Sequence, residues 1–373
     1  MLSRPTSFYS RALKPDLPAV ALQPVPSRLL WLPLHLSVIV GGIICLAERW
    51  LHWGFAPLIS LIIGASFAGL TFLGHETLHG AVVRGRTRRR LIGGLCFAPF
   101  AISQRLWVAW HNRVHHGHTN HSGADPDAYP TLEEYRRSRA LRFVTDHLGP
   151  GGSRPNGVLS LMVGFSVQSA HMLLRARAFG LLSASQHRAA WLETAVVLLG
   201  WLGLALWVGW PVFLFAWALP LMVANAVVMA FILTNHSLSP HTDVNDPLLN
   251  SLSVTVPGWI DRYTLGFGYH VEHHLFPWMS SRHAPAVRDL ILARWSERYQ
   301  SMPLQSALVA LHRTGRVYKD ATTLADVRDG KEWRTLLPRD AGAAPARVHS
   351  ATANSPTASS VTAKVAESVF APR

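Results

Sequence analysis

The chain alternates long apolar runs with polar connectors rich in arginine and histidine. Four runs, roughly 29–47, 55–74, 192–210 and 212–233, approach the length of about 20 mostly apolar residues that a bilayer crossing needs. Residues 48–54 join the first pair, and little more than Pro211 joins the second, so each pair predicts a tight transmembrane hairpin. Two further runs, 91–103 and 158–174, are short or interrupted by Gln168 and His171, and predict interfacial or re-entrant helices. Residues 284–300 and 304–318 carry helical amphipathic patterning, which predicts a helical cap on one side of the membrane. The first 28 residues, with Pro5, Pro15, Pro18, Pro24 and Pro26, read as an N-terminal tail and not as a signal peptide. From about residue 341 the chain is Ala, Ser, Thr and Pro without apolar periodicity, which predicts disorder. The expected layout is a tail over 1–28, a membrane domain over 29–338 and a disordered tail over 339–373. The expected fold class is an all-α integral membrane protein of four transmembrane helices.

Charge gives the spans a direction. Arg4, Arg11, Lys14 and Arg28 precede the first span, and Arg84, Arg86, Arg88, Arg89 and Arg90 follow the second. Only Arg49 lies in the first short turn, and no basic residue lies in the other. The positive-inside bias then places both termini and the long middle segment in the cytoplasm. The net charge of +14 alone would allow a nucleic-acid partner, but with these spans it points to anionic lipid headgroups or an acidic protein. With 15% charged residues and 14 tryptophans, the composition argues against a set of soluble domains. Trp31, Trp50, Trp53 and Trp210 fall near span ends, as an aromatic belt requires. Cys45 and Cys96 lie within apolar runs and read as buried thiols.

Eight of the 20 histidines form three clusters, HETLH at His75 and His79, HNRVHH at His111, His115 and His116, and HVEHH at His270, His273 and His274. By the predicted topology all three lie on one side of the membrane. His75 and His79 are four apart, so a helix presents both on one face. His111 and His115 repeat that spacing, with His116 about 100° further round an α-helix. Adjacent histidines point in different directions, so each can serve a different ion. Eight imidazoles are too many for one metal, and neutral imidazole suits iron, copper and zinc. Two ions held between helices are therefore expected. Glu76, Asp125, Asp127 and Glu272 lie in or near the clusters, where a carboxylate can accept the second N–H of a ligand imidazole. Asp125 and Asp127 also flank Pro126, which fits a turn. HETLH matches the HExxH signature of zinc metalloproteases, in which the Glu acts as general base. An intramembrane zinc protease would leave the other two clusters without a role.

HETLH, HNRVHH followed by GADPDAYPT, and GYHVEHHLFP together resemble the three histidine boxes of membrane fatty acid desaturases, over roughly residues 30–290. The resemblance implies a cytoplasmic helical cap holding a di-iron centre, with O₂ as co-substrate and an acyl lipid as substrate. It also implies one more ligand between the fourth span and the third box, for which Asn235, His236 and His241 in LTNHSLSPH are the candidates and His236, nearest the helix end, is preferred. The chain has no HPGG haem motif and only two cysteines, so electrons are expected from a separate ferredoxin-like or cytochrome-like protein with its reductase. The same superfamily includes lipid hydroxylases and carotenoid ketolases and hydroxylases. LTNHSLSPH, MSSRHAP and the chain length favour acyl lipids over carotenoids.

Overall fold

The computed structural model describes residues 3–149 and 151–338, so the expected C-terminal tail over 339–373 lies outside the described residues. The N-terminal segment is folded. Its helix α1 (Thr6–Leu13) buries Tyr9 and Leu13 against Val271, Leu275, Val287 and Ile291 from the far end of the chain. The first span follows as α2 (Trp31–Ala47), extended backward by a 3₁₀ segment from Pro26. The second span is Trp53–His79, of which α3 (Ala56–His79) is the α-helical part. It ends at Gly80, whose φ of 88° lies in the left-handed region. Gly80 N–H donates to the Thr77 carbonyl and Ala81 N–H to that of Glu76, which is the Schellman stop. The stop falls one residue after His79, so the span and the first histidine box form one continuous rod.

Next comes a bent pair. Helix α4 (Arg86–Phe97) leads through Ala98–Phe100 and Ala101, at φ 54°, into α5 (Gln104–Trp107). Helix α5 continues without a break as a π-helix over Val108–His115. The two arms, Arg86–Phe100 and Gln104–His115, meet at 104°, a broken span or a re-entrant loop. Ser103 caps the second arm through the amides of Arg105 and Leu106, and donates its own hydroxyl to Glu193 at 2.6 Å. Gln104 and Arg105 bond the same carboxylate, so Glu193 holds the corner.

Helix α6 (Asn156–Arg175) is a full 20 residues, longer than the interrupted apolar run suggests. The third and fourth spans are α7 (Ala184–Val208) and α8 (Trp210–His236), the latter with a π turn over Leu214–Ala218. Among the described residues four helices are long and apolar enough to cross a membrane, or five if the bent pair is one span, and the four lie within a few residues of the expected bounds. The α3 and α8 spans are 67% and 44% buried, against 22% and 17% for the α2 and α7 spans, so α3 and α8 form the inner pair. They pack on each other, with α2 against α3 and α6 against α8. Leu34 and Val40 of α2, and Leu192, Val196, Leu199 and Leu206 of α7, remain exposed. Apolar surface of this extent on helices of this length is lipid-facing, and the chain is a membrane protein.

The polar end departs from an all-α fold. Strand β1 (Ser253–Thr255) is followed by the short box helix α9 (His270–Leu275), α10 (Ala284–Trp295), strand β2 (Ser301–Pro303) and α11 (Leu304–Arg313). β1 and β2 pair in parallel. Strands β3 (Val317–Asp320), β4 (Thr323–Ala325) and β5 (Glu332–Arg334) form an antiparallel sheet. The helix expected over 304–318 stops at Arg313. Beyond it Gly315 lies so close to the backbone of Ala325 that a Cβ there would fall 2.1 Å from its carbonyl carbon. That approach lets β3 and β4 pair and bury Val317, Tyr318 and Leu324.

Candidate metal centre

The carboxy ends of α3, the π-helix and α8 converge with α9, and they bring nine imidazoles together in two adjoining sets. His75, His79, His111, His116 and His273 each offer a ring nitrogen, all within 4.8 Å of one another. His115, His236, His270 and His274 form the second set under the same limit. His116 and His274 stack at 4.4 Å between ring centroids, so the sets share a wall.

The π-helix explains how the second box is divided. An α-helix would align His111 with His115, as the spacing predicts. Instead the His116 amide donates to the His111 carbonyl, an i to i+5 bond, and the wider turn brings their Nε2 atoms to 3.2 Å. His115 is released into the other set. In the third box, His270 and His274 face one set at α-helical spacing, and His273 faces the other.

The nitrogens fit metal ions. His111 Nε2 lies 3.1 Å from His75 Nε2, and His273 Nε2 lies 3.1 Å from His116 Nε2. Two imidazole nitrogens about 2.1 Å from a shared ion and at right angles would be about 3.0 Å apart. His270 and His236 approach more closely, at 2.6 Å. Among the described residues the buried His79 Nε2 has no hydrogen-bond partner. Burial first, and neighbouring imidazoles second, hold His116, His270, His273 and His274 well below the usual histidine range. They are neutral, with lone pairs free to bind.

Outer contacts orient the rings. His115 Nδ1–H donates to Asp125, 3.1 Å from each carboxylate oxygen. His236 Nδ1–H donates to the Asn250 carbonyl at 3.3 Å, and His274 Nδ1–H to Thr119 Oγ at 3.2 Å. Each bond turns a bare Nε2 toward the set. Asn120, at φ 52°, donates its side-chain amide to the His236 carbonyl at 3.0 Å, and Asn245 donates to the His116 carbonyl at 2.7 Å. Sequence reasoning missed Thr119, Asn120, Asn245 and Asn250. Thr119 and Asn120 lie three and four residues beyond the second box, but no spacing rule picks out the other two.

The remaining candidates separate. Asp125 takes the role expected of a carboxylate beside a ligand, and its two oxygens also accept the amides of Asn120 and Asp127, so it forms the turn as well. Asp127 accepts from Trp110 Nε1 at 2.7 Å and Gln168 Nε2 at 2.6 Å, with one oxygen 3.5 Å from His115 Nδ1. Glu76 and Glu272 have other partners than the expected imidazole N–H groups. Glu76 accepts from Ser280 Oγ and the Ser281 amide and faces Arg28 at 3.7 Å. Glu272 accepts from Ser253 Oγ at 2.7 Å and Tyr299 at 2.6 Å, while Ser253 caps α9 through the amides of His270 and Val271. His241 belongs to neither set and stacks on Tyr318 at 3.5 Å. Asn235 is fully buried beside His236, and its amide is unpartnered among the described residues.

A pocket reaches from between the inner helices to both sets. Phe72, Phe97, Trp107, Phe165, Val228 and Phe267 supply apolar lining, and His75, His111, His115, His236 and His270 line it as well. Asp127 and Gln168 are the polar groups beside them. Trp107 stacks on His111 at 4.4 Å, closing the pocket against the ring.

Comparison with known proteins identifies the family. A family profile described as fatty acid desaturase matches residues 49–305. The chain is 26% identical over 321 residues to the sn-1 acyl-lipid omega-3 desaturase (ferredoxin) of Synechocystis, covering 80% of this chain and 85% of the relative. It is 23% identical to the chloroplastic omega-6 fatty acid desaturase of Arabidopsis thaliana, over 66% of this chain and 55% of that protein. A shorter match, 32% identical over 84 residues, is to the dihydrorhizobitoxine desaturase of Bradyrhizobium elkanii, and covers 22% of this chain. With a family match over more than half its length and the histidine layout described above, the chain belongs to the fatty acid desaturase family and is an oxidoreductase of that kind.

Proposed function

We propose that this chain introduces a double bond into a fatty acyl chain carried by a lipid, using O₂, two iron ions and electrons from a separate donor. The observation that carries the reading is a mainly apolar pocket lined by imidazoles of both sets. His75, His79, His111, His116 and His273 would hold one iron, and His115, His236, His270 and His274 the other. Iron held there would supply the oxygen activation and redox capacity that removal of hydrogen from an unactivated methylene demands.

The residues of the chain do the rest. Phe72, Phe97, Phe165 and Phe267 line a slot for the alkyl chain, and their bulk keeps water from the histidines. Trp107 and the bonds from Asp125, Thr119 and Asn250 fix the rings before substrate arrives, so little reorganisation is needed. Glu76 accepts from Ser280 and Ser281 through one oxygen and faces Arg28 with the other, contacts that favour a structural role for it over the general base of the HExxH reading.

The same reading makes 29–338 the catalytic membrane domain, with spans paired as hairpins and the histidine end in the cytoplasm. The run Arg84 to Arg90 at that end supports the orientation. A ferredoxin-like donor is favoured by the ferredoxin in the name of the Synechocystis relative.

Expression in a host of known lipid profile, followed by gas chromatography of fatty acid methyl esters, tests the function. New unsaturated acids are the expected result. Hydroxylated acids would move the reading to a lipid hydroxylase, and oxidised carotene in a carotene-producing host would move it to a ketolase. About two irons per purified chain are expected. A zinc content with no iron would overturn the proposal.

A further inference from the structure

We propose that the crook of the bend between α4 and α5 is a phosphate-binding site, filled by the headgroup of an anionic membrane lipid distinct from the acyl substrate. Arg86, Arg89 and Arg90 enter this cleft from α4, and Arg105 and Arg113 enter it from the second arm, with Asn112 beside them. Arg105 pairs with Glu193. Among the described residues no carboxylate lies within salt-bridge distance of Arg86, Arg89, Arg90 or Arg113. Guanidinium groups converging on one hollow repel each other unless an anion joins them. Their planar forks match phosphate oxygens better than a diffuse counterion would.

Three observations favour a lipid. The site is a cleft of about 250 Å³, with room for a phosphate and its first substituent, and not a flat face for a protein. Helix α4 also carries exposed Leu91 and Leu95, at 70% and 45%, beside its arginines. An exposed apolar strip next to a cationic one is the signature of a helix lying in the membrane interface. Finally, the cleft shares no residue with the acyl pocket. It lies against Val108, Asn112 and Arg113 of the π-helix, whereas the acyl pocket uses Trp107, Trp110, His111 and His115.

The position gives such a ligand a purpose. Arg89 lies over Gly80, where an added Cβ would fall 3.0 Å from its Nη1, one residue beyond His79. Leu78 also lines the cleft. A phosphate bridging Arg89 to Arg105 or Arg113 therefore ties the end of the first-box helix to the second-box helix from outside.

The test uses the full chain in detergent, titrated with mixed micelles containing phosphatidylglycerol or phosphatidylcholine, with thermal unfolding as the readout. Phosphatidylglycerol is expected to raise the unfolding temperature and phosphatidylcholine to leave it nearly unchanged. Inorganic phosphate should compete on the unmodified protein. The double variant Arg89→Gln/Arg90→Gln should bind phosphatidylglycerol at least tenfold more weakly. The double variant Arg84→Gln/Arg88→Gln, which removes the same two charges from outside the cleft, should bind normally. Equal responses to the two lipids, or full phosphatidylglycerol binding by the double variant, overturn the proposal. A response to inorganic phosphate alone overturns the lipid assignment, and one to a reduced ferredoxin alone makes the cleft a protein dock instead.

Discussion

Asp125 holds His115 by both carboxylate oxygens at 3.1 Å, and that contact decides which imidazole nitrogen faces His236, His270 and His274. The backbone of the π-helix puts His115 near the second set, but only the carboxylate fixes the tautomer. Asp125→Asn keeps the size and loses the charge. It should lower metal affinity or turnover by about 10- to 100-fold, as partners of metal-bound histidines commonly do when replaced. Iron content per chain and product yield, measured on the same preparation, check this. Unchanged values in both would remove Asp125 from the site.

Tyr9 is the test of whether the N-terminal helix supports the centre. It is fully buried, lies edge-on to Trp295 at 4.9 Å, and packs against the same cluster as α9. Tyr9→Ala should cost about 3–5 kcal/mol by loss of aromatic burial. Thermal unfolding in detergent reads the loss, and faster iron release is expected because α9 carries His270, His273 and His274.

Pocket length is open to a single substitution. Phe165 of α6 lines the pocket proposed for the alkyl chain and is 3% exposed. Phe165→Ala should let the alkyl chain slide deeper, moving the new double bond away from the buried end or favouring longer chains. Mass spectrometry of derivatised fatty acids locates the bond. An unchanged product position would show that Phe165 does not set the depth.

Metal removal should destabilise the whole polar end. An ion that binds only the folded state contributes about 2.7 kcal/mol when present at 100 times its dissociation constant. Chelator treatment should therefore lower the unfolding temperature, and iron should restore it. Asp125→Asn should show a smaller chelator effect than the parent chain, because its metal is already held more weakly.

The spans were legible because 20-residue apolar runs leave few alternatives, and the three boxes because histidine spacing is a local property of a helix. Which histidine joins which set was only partly legible. The separation of His115 from His116 follows from adjacency, but the pairing of His111 with His116 depends on a π turn. Nothing in VAWHNRVH distinguishes that turn from an α-helix. Preference for His236 rested on its closeness to a helix end, and the structure brings it to the second set. Glu76 and Glu272 show the opposite limit. Their positions inside the boxes suggested bonds to imidazole, yet their partners Ser280, Ser281, Ser253 and Tyr299 come from segments whose proximity is a tertiary fact. The β3–β5 sheet was missed because three-residue strands carry too few positions to show a period.

The rod Trp53–His79 has 27 residues, which at about 1.5 Å each make roughly 40 Å. The hydrocarbon layer is about 30 Å thick, so the rod is roughly 10 Å longer than a perpendicular crossing needs, a surplus taken up by tilt or by projection of its ends, one of which carries His75 and His79. With no joint between anchor and centre, any tilt or shift by which the rod matches its bilayer is carried straight to His75 and His79.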